Sequence, residues 1–276
     1  MIWLATMIEE SLSLFQKRQR EVNPANFQFV LLGDSWVGPV LPNFRSASND
    51  VLQAAIQKAI TFNPLLIAYS GDAVFSGTTT QLNTFRNLVR NTLTSTGHGD
   101  IPFFTTPGNH DATKEGSFTN YQRIIGSLQY QVDSSRLSFR LVSVNDSTLV
   151  SRGVYEIKPD QLLFASQHLR AARRHKFLLL HVPPRVGSFK NFLSDSTLNS
   201  GHGFLKLERI IRQNHVNGVL SGHVHGFFRT HTLGTDYVVS GGAGAPLVTG
   251  QLQHITLVTV RNGQVTYKEV PIGWQA

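Results

Sequence analysis

The sequence predicts a layered α/β fold, and three features carry that prediction. Short apolar runs alternate with stretches of helical periodicity, the signature of strands and helices stacked in layers. Several of the runs stop at a glycine followed by Asp, Asn or His. No long Pro/Ser linker, low-complexity tract or internal repeat interrupts the 276 residues. An N-terminal helical extension over residues 1–22 and a single domain over 23–276 are therefore expected.

The elements follow in order. The apolar opening Met1 to Ile8 meets Glu9-Glu10 far short of a membrane span and reads as an amphipathic helix running to about Arg20. Phe27 to Leu32 is a strand ending at Gly33-Asp34, and Ser48 to Phe62 is a helix stopped by Asn63-Pro64. Leu65 to Tyr69 is a strand ending at Gly71-Asp72, Gln81 to Leu93 a helix, and Pro102 to Thr106 a strand running into Pro107-Gly108-Asn109-His110-Asp111. Leu137 to Val144 alternates like a half-exposed strand, and Pro159 to Arg174 is a helix with proline in its first turn. Lys176 to Leu180 is a buried strand ending at His181, Gly203 to Asn214 a helix, and Val216 to Leu220 a strand ending at Gly222-His223-Val224-His225. Three β segments close the chain, at Tyr237 to Ser240, His254 to Val260 and Gln264 to Val270.

Composition narrows the function classes. Hydrophobic content of 41% with 15% charged residues describes a packed globular chain rather than a disordered one. With no cysteine, a disulfide framework, a thiolate metal site and a cysteine nucleophile are all excluded, and any metal must be held by oxygen and imidazole. The net charge of +8 favours acidic partners such as phosphate esters, nucleic acid or anionic lipid without choosing among them. No dense Lys/Arg stripe interleaved with aromatics is present, so nucleic acid is the less favoured of these. The start lacks the basic residues and cleavage site of a secretory signal; a cytoplasmic location is favoured, with a start that has lost an anchor as the other reading. Gly241-Gly242-Ala243-Gly244-Ala245-Pro246 is Gly-rich, but no helix carrying Lys and Ser/Thr follows it, which excludes a nucleotide P-loop.

Chemistry concentrates at the strand ends. Five strand-like segments deliver Asp34, Asp72, Asn109 with His110, His181, and His223 with His225. In an α/β sheet, ligands gather beyond the carboxyl ends of the strands, where loops converge. Taken singly, a Gly-Asp after a strand is an ordinary turn and a lone strand-end histidine an ordinary core imidazole. The ordered set is a different matter, and His223-Val224-His225 adds two imidazoles on one face of an extended segment. Oxygen and imidazole donors without sulfur suit Mn, Fe, Zn or Co. Two such ions about 3.5–4 Å apart can clamp an in-line displacement at phosphorus and supply hydroxide near neutral pH.

These residues resemble the calcineurin-like metallophosphoesterase superfamily, whose motifs run D-x-H, G-D, G-N-H-[DE], H and G-H-x-H. Here they read Asp34-Ser35-Trp36, Gly71-Asp72, Gly108-Asn109-His110-Asp111, His181 and Gly222-His223-Val224-His225. The last two multi-residue motifs are closest in style to the purple acid phosphatase and cyclic-nucleotide phosphodiesterase branches. The resemblance implies a four-layer α/β/β/α sandwich of two packed mixed sheets with flanking helices, and hydrolysis of a small phosphomonoester or phosphodiester by a metal-bound hydroxide at a dinuclear centre. By position, Asp34, Asp72 and His225 would hold the first of two divalent or trivalent transition-metal ions. Asp72 would bridge to the second, completed by Asn109, His181 and His223. Asn109 and His110 would contact the substrate, with His110 binding a phosphoryl oxygen or protonating the leaving alkoxide. Asp111 either orients His110 or caps its loop.

The pattern breaks at one position. The family's first motif carries His where this chain has Trp36, and an indole has one N–H donor and no lone pair for a metal. The tyrosine that purple acid phosphatases use instead falls at Phe75, which cannot ligate either. The first ion would keep three protein ligands, which leaves either a usable open site or a site too weak to fill. A metal- or ligand-binding descendant without catalysis is therefore the alternative to the enzyme. Trp36 itself either packs the pocket or stacks on a substrate. His202, between two glycines, is a further loop residue within possible reach of the site.

Overall fold

The computed structural model describes residues 5–38, 48–151, 153–189 and 203–273; His202 lies outside them. Three strands near the start, β1 (Asn26–Leu32), β2 (Ile67–Tyr69) and β3 (Phe103–Thr105), pair in parallel. The last two strands, β12 (His254–Arg261) and β13 (Gln264–Pro271), add antiparallel to β1 and complete a five-stranded sheet in the order β13-β12-β1-β2-β3. The second sheet is built from β4 (Tyr130–Ser134), β5 (Phe139–Ser143), β8 (His175–Leu179), β9 (Gly218–Ser221), β10 (Phe227–Thr232) and β11 (Thr235–Ser240). Its order is β10-β11-β9-β8-β5-β4, with β5, β8, β9 and β11 mutually parallel. A separate hairpin joins β6 (Thr148–Ser151) to β7 (Val154–Glu156). The hairpin, β4 and β10 have no counterpart among the strands read from the sequence.

Aromatic side chains weld the two sheets face to face. Phe29 of β1 sits 5.0 Å from Phe177 of β8 and 5.9 Å from Phe139 of β5, ring centroid to centroid. Phe139 also meets Phe27 edge-on at 5.9 Å. Strand alternation then sends the neighbouring residues outward: Leu141 and Leu179 belong to the intersheet core, whereas Val142, Leu178 and Leu180 face a second apolar cluster. That cluster is closed by α5 (Pro159–Leu169) and the last helix, α6 (Leu205–Gln213), through Leu162, Ala165, Leu207 and Ile211. On the other side, Leu52 and Ile56 of α2 (Ser48–Ile60) and Leu82 and Phe85 of α3 (Thr79–Ser95) join the first sheet's core. The result is the α/β/β/α sandwich. Truncating Phe139, which is fully buried among four other rings, is expected to cost about 3–5 kcal/mol. A Phe139→Ala denaturant curve shifted to lower midpoint at constant slope would register it.

The first helix, α1 (Met7–Arg18), follows from its local chemistry. Thr6 and Glu9 form a capping box, Glu9 and Glu10 lie in the first turn, and Lys17 and Arg18 in the last. Its buried side chains Met7, Ile8, Ser11 and Phe15 recur at helical spacing. The Ser11 hydroxyl donates to the Phe103 carbonyl at 2.7 Å and accepts from the Phe103 N–H at 3.1 Å, satisfying the free edge of β3. Among the described residues no helix is long and apolar enough to cross a membrane.

Sequence periodicity extends α5 to Arg174, but the helix stops at Leu169. Its final carbonyls are taken by side chains from the adjoining sheet: Arg140 donates to His168 at 2.8 Å and Lys176 to Leu169 at 3.2 Å. Arg173 leaves the helix to bind the Asp133 carboxylate with two contacts of 2.9 and 2.8 Å.

Candidate metal centre

All five metal-competent segments emerge at the carboxyl ends of parallel strands. Asp34, Asp72 and Asn109 follow β1, β2 and β3, while His181 follows β8 and His223 with His225 follows β9. The two sheets thus contribute to one cluster of metal-competent side chains. The loops after β1 and β2 stay paired past the strand ends, through Asp34 N–H to the Gly71 carbonyl at 3.0 Å and Ser35 N–H to the Asp72 carbonyl at 3.1 Å. The Gly-rich stretch fastens the first loop from the other side, with the Ala243 and Ala245 N–H groups donating to the carbonyls of Gly33 and Asp34 at 3.0 and 2.8 Å.

Backbone conformation here is unusual. Asp34, Trp36, Asp72 and His223 have φ of 60°, 52°, 54° and 68°, a region where non-glycine residues are uncommon. Each costs on the order of 1–3 kcal/mol unless its surroundings hold it, and such residues cluster at functional sites. Gly71, which flanks Asp72, has φ 88°, as a sharp turn out of a strand requires, and two other flanking glycines make room for carboxylates. A β-carbon on Gly222 would lie 2.3 Å from Asp34 Oδ2, and one on Gly108 would lie 2.2 Å from Asp72 Oδ1. At both positions glycine is required because a carboxylate occupies the space of its side chain.

Two groups of donors result, each with its ligand atoms within 4.8 Å of one another: Asp72, His181 and His223, and Asp34, Asp72 and His225. Asp72 is common to both. In the first group His181 Nδ1–H donates to the Ser70 carbonyl at 2.7 Å, so Nε2 carries a lone pair. That lone pair faces Asn109 Oδ1 at 3.0 Å and Asp72 Oδ1 at 3.3 Å, while His223 Nδ1 lies 2.9 Å from the same Asn109 oxygen. In the second group His225 Nδ1–H donates to the Pro246 carbonyl at 2.7 Å and Nε2 points at Asp34 Oδ1, 3.6 Å away. An imidazole that spends one N–H on a carbonyl and presents its other nitrogen is the standard arrangement of a metal-ligating histidine.

The electrostatics ask for a cation. Burial pushes the Asp34 carboxyl well up, with the Asp72 charge adding to it, and Asp111 is raised by the same two causes. Burial also acts against ionisation of Asp72, but His181, His110, His223 and the His110 N–H outweigh it and hold that carboxyl below its ordinary range. Burial and the neighbouring His181 drive His223 down to about 3, and burial also lowers His181 and His225. The His181 Nε2 lone pair facing Asn109 Oδ1 and Asp72 Oδ1 is an acceptor set against acceptors. A metal ion between them satisfies both, so the residues present fit the group.

His110 stands beside this cluster. Its backbone N–H donates to Asp72 Oδ1 at 2.8 Å, and its ring Nδ1–H donates to the Phe75 carbonyl at 2.8 Å, leaving Nε2 free. Asp111 does not orient it: that carboxylate accepts from the Gly108 and Val74 N–H groups at 2.8 and 3.2 Å and caps the loop. Trp36 packs its indole 4.4 Å from His110 and 4.9 Å from His225, with Phe75 at 5.5 Å.

Two participants escaped the sequence reading. Asp146, fully buried, accepts from the His181 and Val182 N–H groups at 3.0 and 3.1 Å and fixes the loop that carries His181; burial lifts its carboxyl to about 7. It lies just past β5, so the strand-end rule that found the other acids applies to it as well. Tyr155, on β7, sets its ring 5.1 Å from His223. No local signal announces it, because the hairpin that carries it is itself unmarked in the sequence.

The fold is an α/β/β/α sandwich with candidate metal ligands gathered at the strand ends of both sheets. The chain belongs to the calcineurin-like phosphoesterase family, whose model matches residues 27–227. Among solved structures it is similar to a purple acid phosphatase from yellow lupin seeds (TM-score 0.64, 17% identity), covering 88% of this chain and 51% of that one. The chain therefore spans about half the length of that phosphatase. It is also similar to a dimetal phosphatase from Danio rerio (TM-score 0.63, 13% identity, 91% of this chain and 97% of that one). A third neighbour is GAP50, described as the anchor in the inner membrane complex of Plasmodium (TM-score 0.63, 13% identity, 90% and 85%). At these identities the likeness is one of fold. Comparison with curated protein sequences yields no significant match.

Proposed function

We propose that this chain hydrolyses a small phosphomonoester or phosphodiester at a dinuclear metal centre. The observation that carries the reading is the pair of ligand groups that share Asp72. Asp34, Asp72 and His225 would hold one ion, and Asp72, Asn109, His181 and His223 the other. When bound, a pair of divalent or trivalent ions such as Mn, Fe or Zn supplies charge to the phosphoryl oxygens and lowers the pKa of a nucleophilic water.

The protein's own residues would do the rest. Asn109 and His110 would position the phosphoryl group. His110, with Nδ1–H anchored on the Phe75 carbonyl, presents Nε2 to the site; in the imidazolium form that nitrogen can pass a proton to the leaving alkoxide. Asp146 holds the His181 loop in register, and Trp36 and Tyr155 wall the site with apolar surface.

A second reading is a metal- or ligand-binding descendant without useful catalysis. It is favoured by Trp36, whose indole N–H donates to Asp72 Oδ2 at 3.2 Å in the position where the family's motif places a ligand. One experiment separates the two: elemental analysis of the protein after equilibration with added Mn²⁺, together with hydrolysis of para-nitrophenyl phosphate and its bis-ester in the same buffer. Close to two metals per chain with turnover is the expected result. One metal or none without turnover would make the descendant the better description.

A further inference from the structure

The two ligand groups are unequal, and the residue that makes them so is Trp36. The inference rests on the dinuclear reading above. Around His181 Nε2, three further donors converge: Asn109 Oδ1 at 3.0 Å, His223 Nδ1 at 3.2 Å and Asp72 Oδ1 at 3.3 Å. Four protein donors suffice to enclose a transition-metal ion. The other group offers three, and its His225–Asp34 contact is longer at 3.6 Å.

Trp36 stands where a fourth donor would be needed. The indole has no lone pair to give, and its N–H already engages Asp72 Oδ2 at 3.2 Å. A hydrogen bond to a carboxylate oxygen draws on the electron pairs that a cation would use, so ion and indole compete for Asp72. The ring is fixed in place by His110, His225 and Phe75, at centroid distances of 4.4, 4.9 and 5.5 Å. Its backbone is held at φ 52° by the Trp36 N–H to the Asp72 carbonyl, 3.2 Å. A bulky residue in that conformation is an outlier, and an outlier held by its surroundings points to a role.

We propose that Trp36 sets a hierarchy of metal affinity. The Asp72–Asn109–His181–His223 site holds the first ion tightly, while the Asp34–Asp72–His225 site takes the second weakly and reversibly. The dinuclear state is then governed by the free metal concentration around the protein. The residue acts on the ions through Asp72 and touches no reacting atom, which makes it a positioning residue.

The test is a Mn²⁺ titration of the chelator-stripped protein, followed by calorimetry and by the electron paramagnetic resonance signal of free Mn²⁺. Wild type, Trp36→Phe and Trp36→His are compared. Phenylalanine keeps an aromatic ring while removing the N–H together with part of the indole surface; histidine adds a ligand. Wild type is expected to bind in two steps, and Trp36→Phe to tighten the second step by about tenfold, the lower end of what an outer-shell partner of a metal ligand controls. Trp36→His should tighten it further, with the first step unchanged in both. Two ions of equal affinity in wild type, or a second step that neither substitution moves, would overturn the hierarchy while leaving the dinuclear centre standing. Absence of Mn²⁺ binding in all three proteins would instead remove the dinuclear reading, and this inference with it.

Discussion

Asp72→Asn is expected to strip both ions from the protein and abolish turnover. The side chain belongs to both donor groups, and its two oxygens face different partners: Oδ1 meets His181 Nε2 at 3.3 Å, and Oδ2 accepts from the Trp36 indole. An amide has one acceptor oxygen where the carboxylate has two, and it brings no charge. The loss of metal affinity should exceed the roughly 10–100-fold caused by removing an outer-shell partner. Asp34→Asn supplies the contrast, since Asp34 belongs to one group only; it should lower the metal content toward one per chain. Elemental analysis of both variants and wild type after equilibration in the same Mn²⁺ buffer checks the pair of expectations. Equal metal content in Asp72→Asn and wild type would refute the bridging role. The fold should survive the change, because Asp72 is crowded against other buried carboxyls and its charge is among the causes that raise Asp34 and Asp111.

His110→Ala is expected to act on rate and spare the metals. The link between this residue and the ligand set is its backbone N–H to Asp72 Oδ1, 2.8 Å, which alanine retains. On the proposed function, the imidazole that disappears would hand a proton to the leaving oxygen, a contribution of about 10²–10⁴ in rate. Steady-state hydrolysis of a substrate with a poor leaving group measures the loss. An ester of para-nitrophenol, whose leaving group needs little protonation, should lose less. A wild-type rate on both substrates would exclude the assignment, and loss of metal without a separate kinetic defect would recast His110 as a structural support.

Much of this was legible in the sequence for a definite physical reason. Buried parallel strands are continuous apolar runs, so β1, β8 and β9 announce themselves. Asp34, Asp72, Asn109, His181, His223 and His225 stand out because each follows such a run. Elements whose register depends on a partner did not stand out. The β6–β7 hairpin is four residues against three and exposes Leu149 and Val150, so no buried face patterns it. The end of α5 was misplaced because Arg140 and Lys176, from strands β5 and β8, close it.

Local sequence thus determined the layered α/β architecture and the identity of the metal-competent side chains, because burial periodicity and donor chemistry are properties of short segments. Tertiary structure alone decided three other matters. It set the left-handed backbone at Asp34, Asp72 and His223, since that strain is tolerable only where loops from different strands bond to one another. It chose the imidazole nitrogens that face the site, because the carbonyls of Ser70 and Pro246, distant in the chain, take the opposite N–H. And it brought the indole of Trp36 onto Asp72 Oδ2, a contact between two loops that no single segment of the chain encodes.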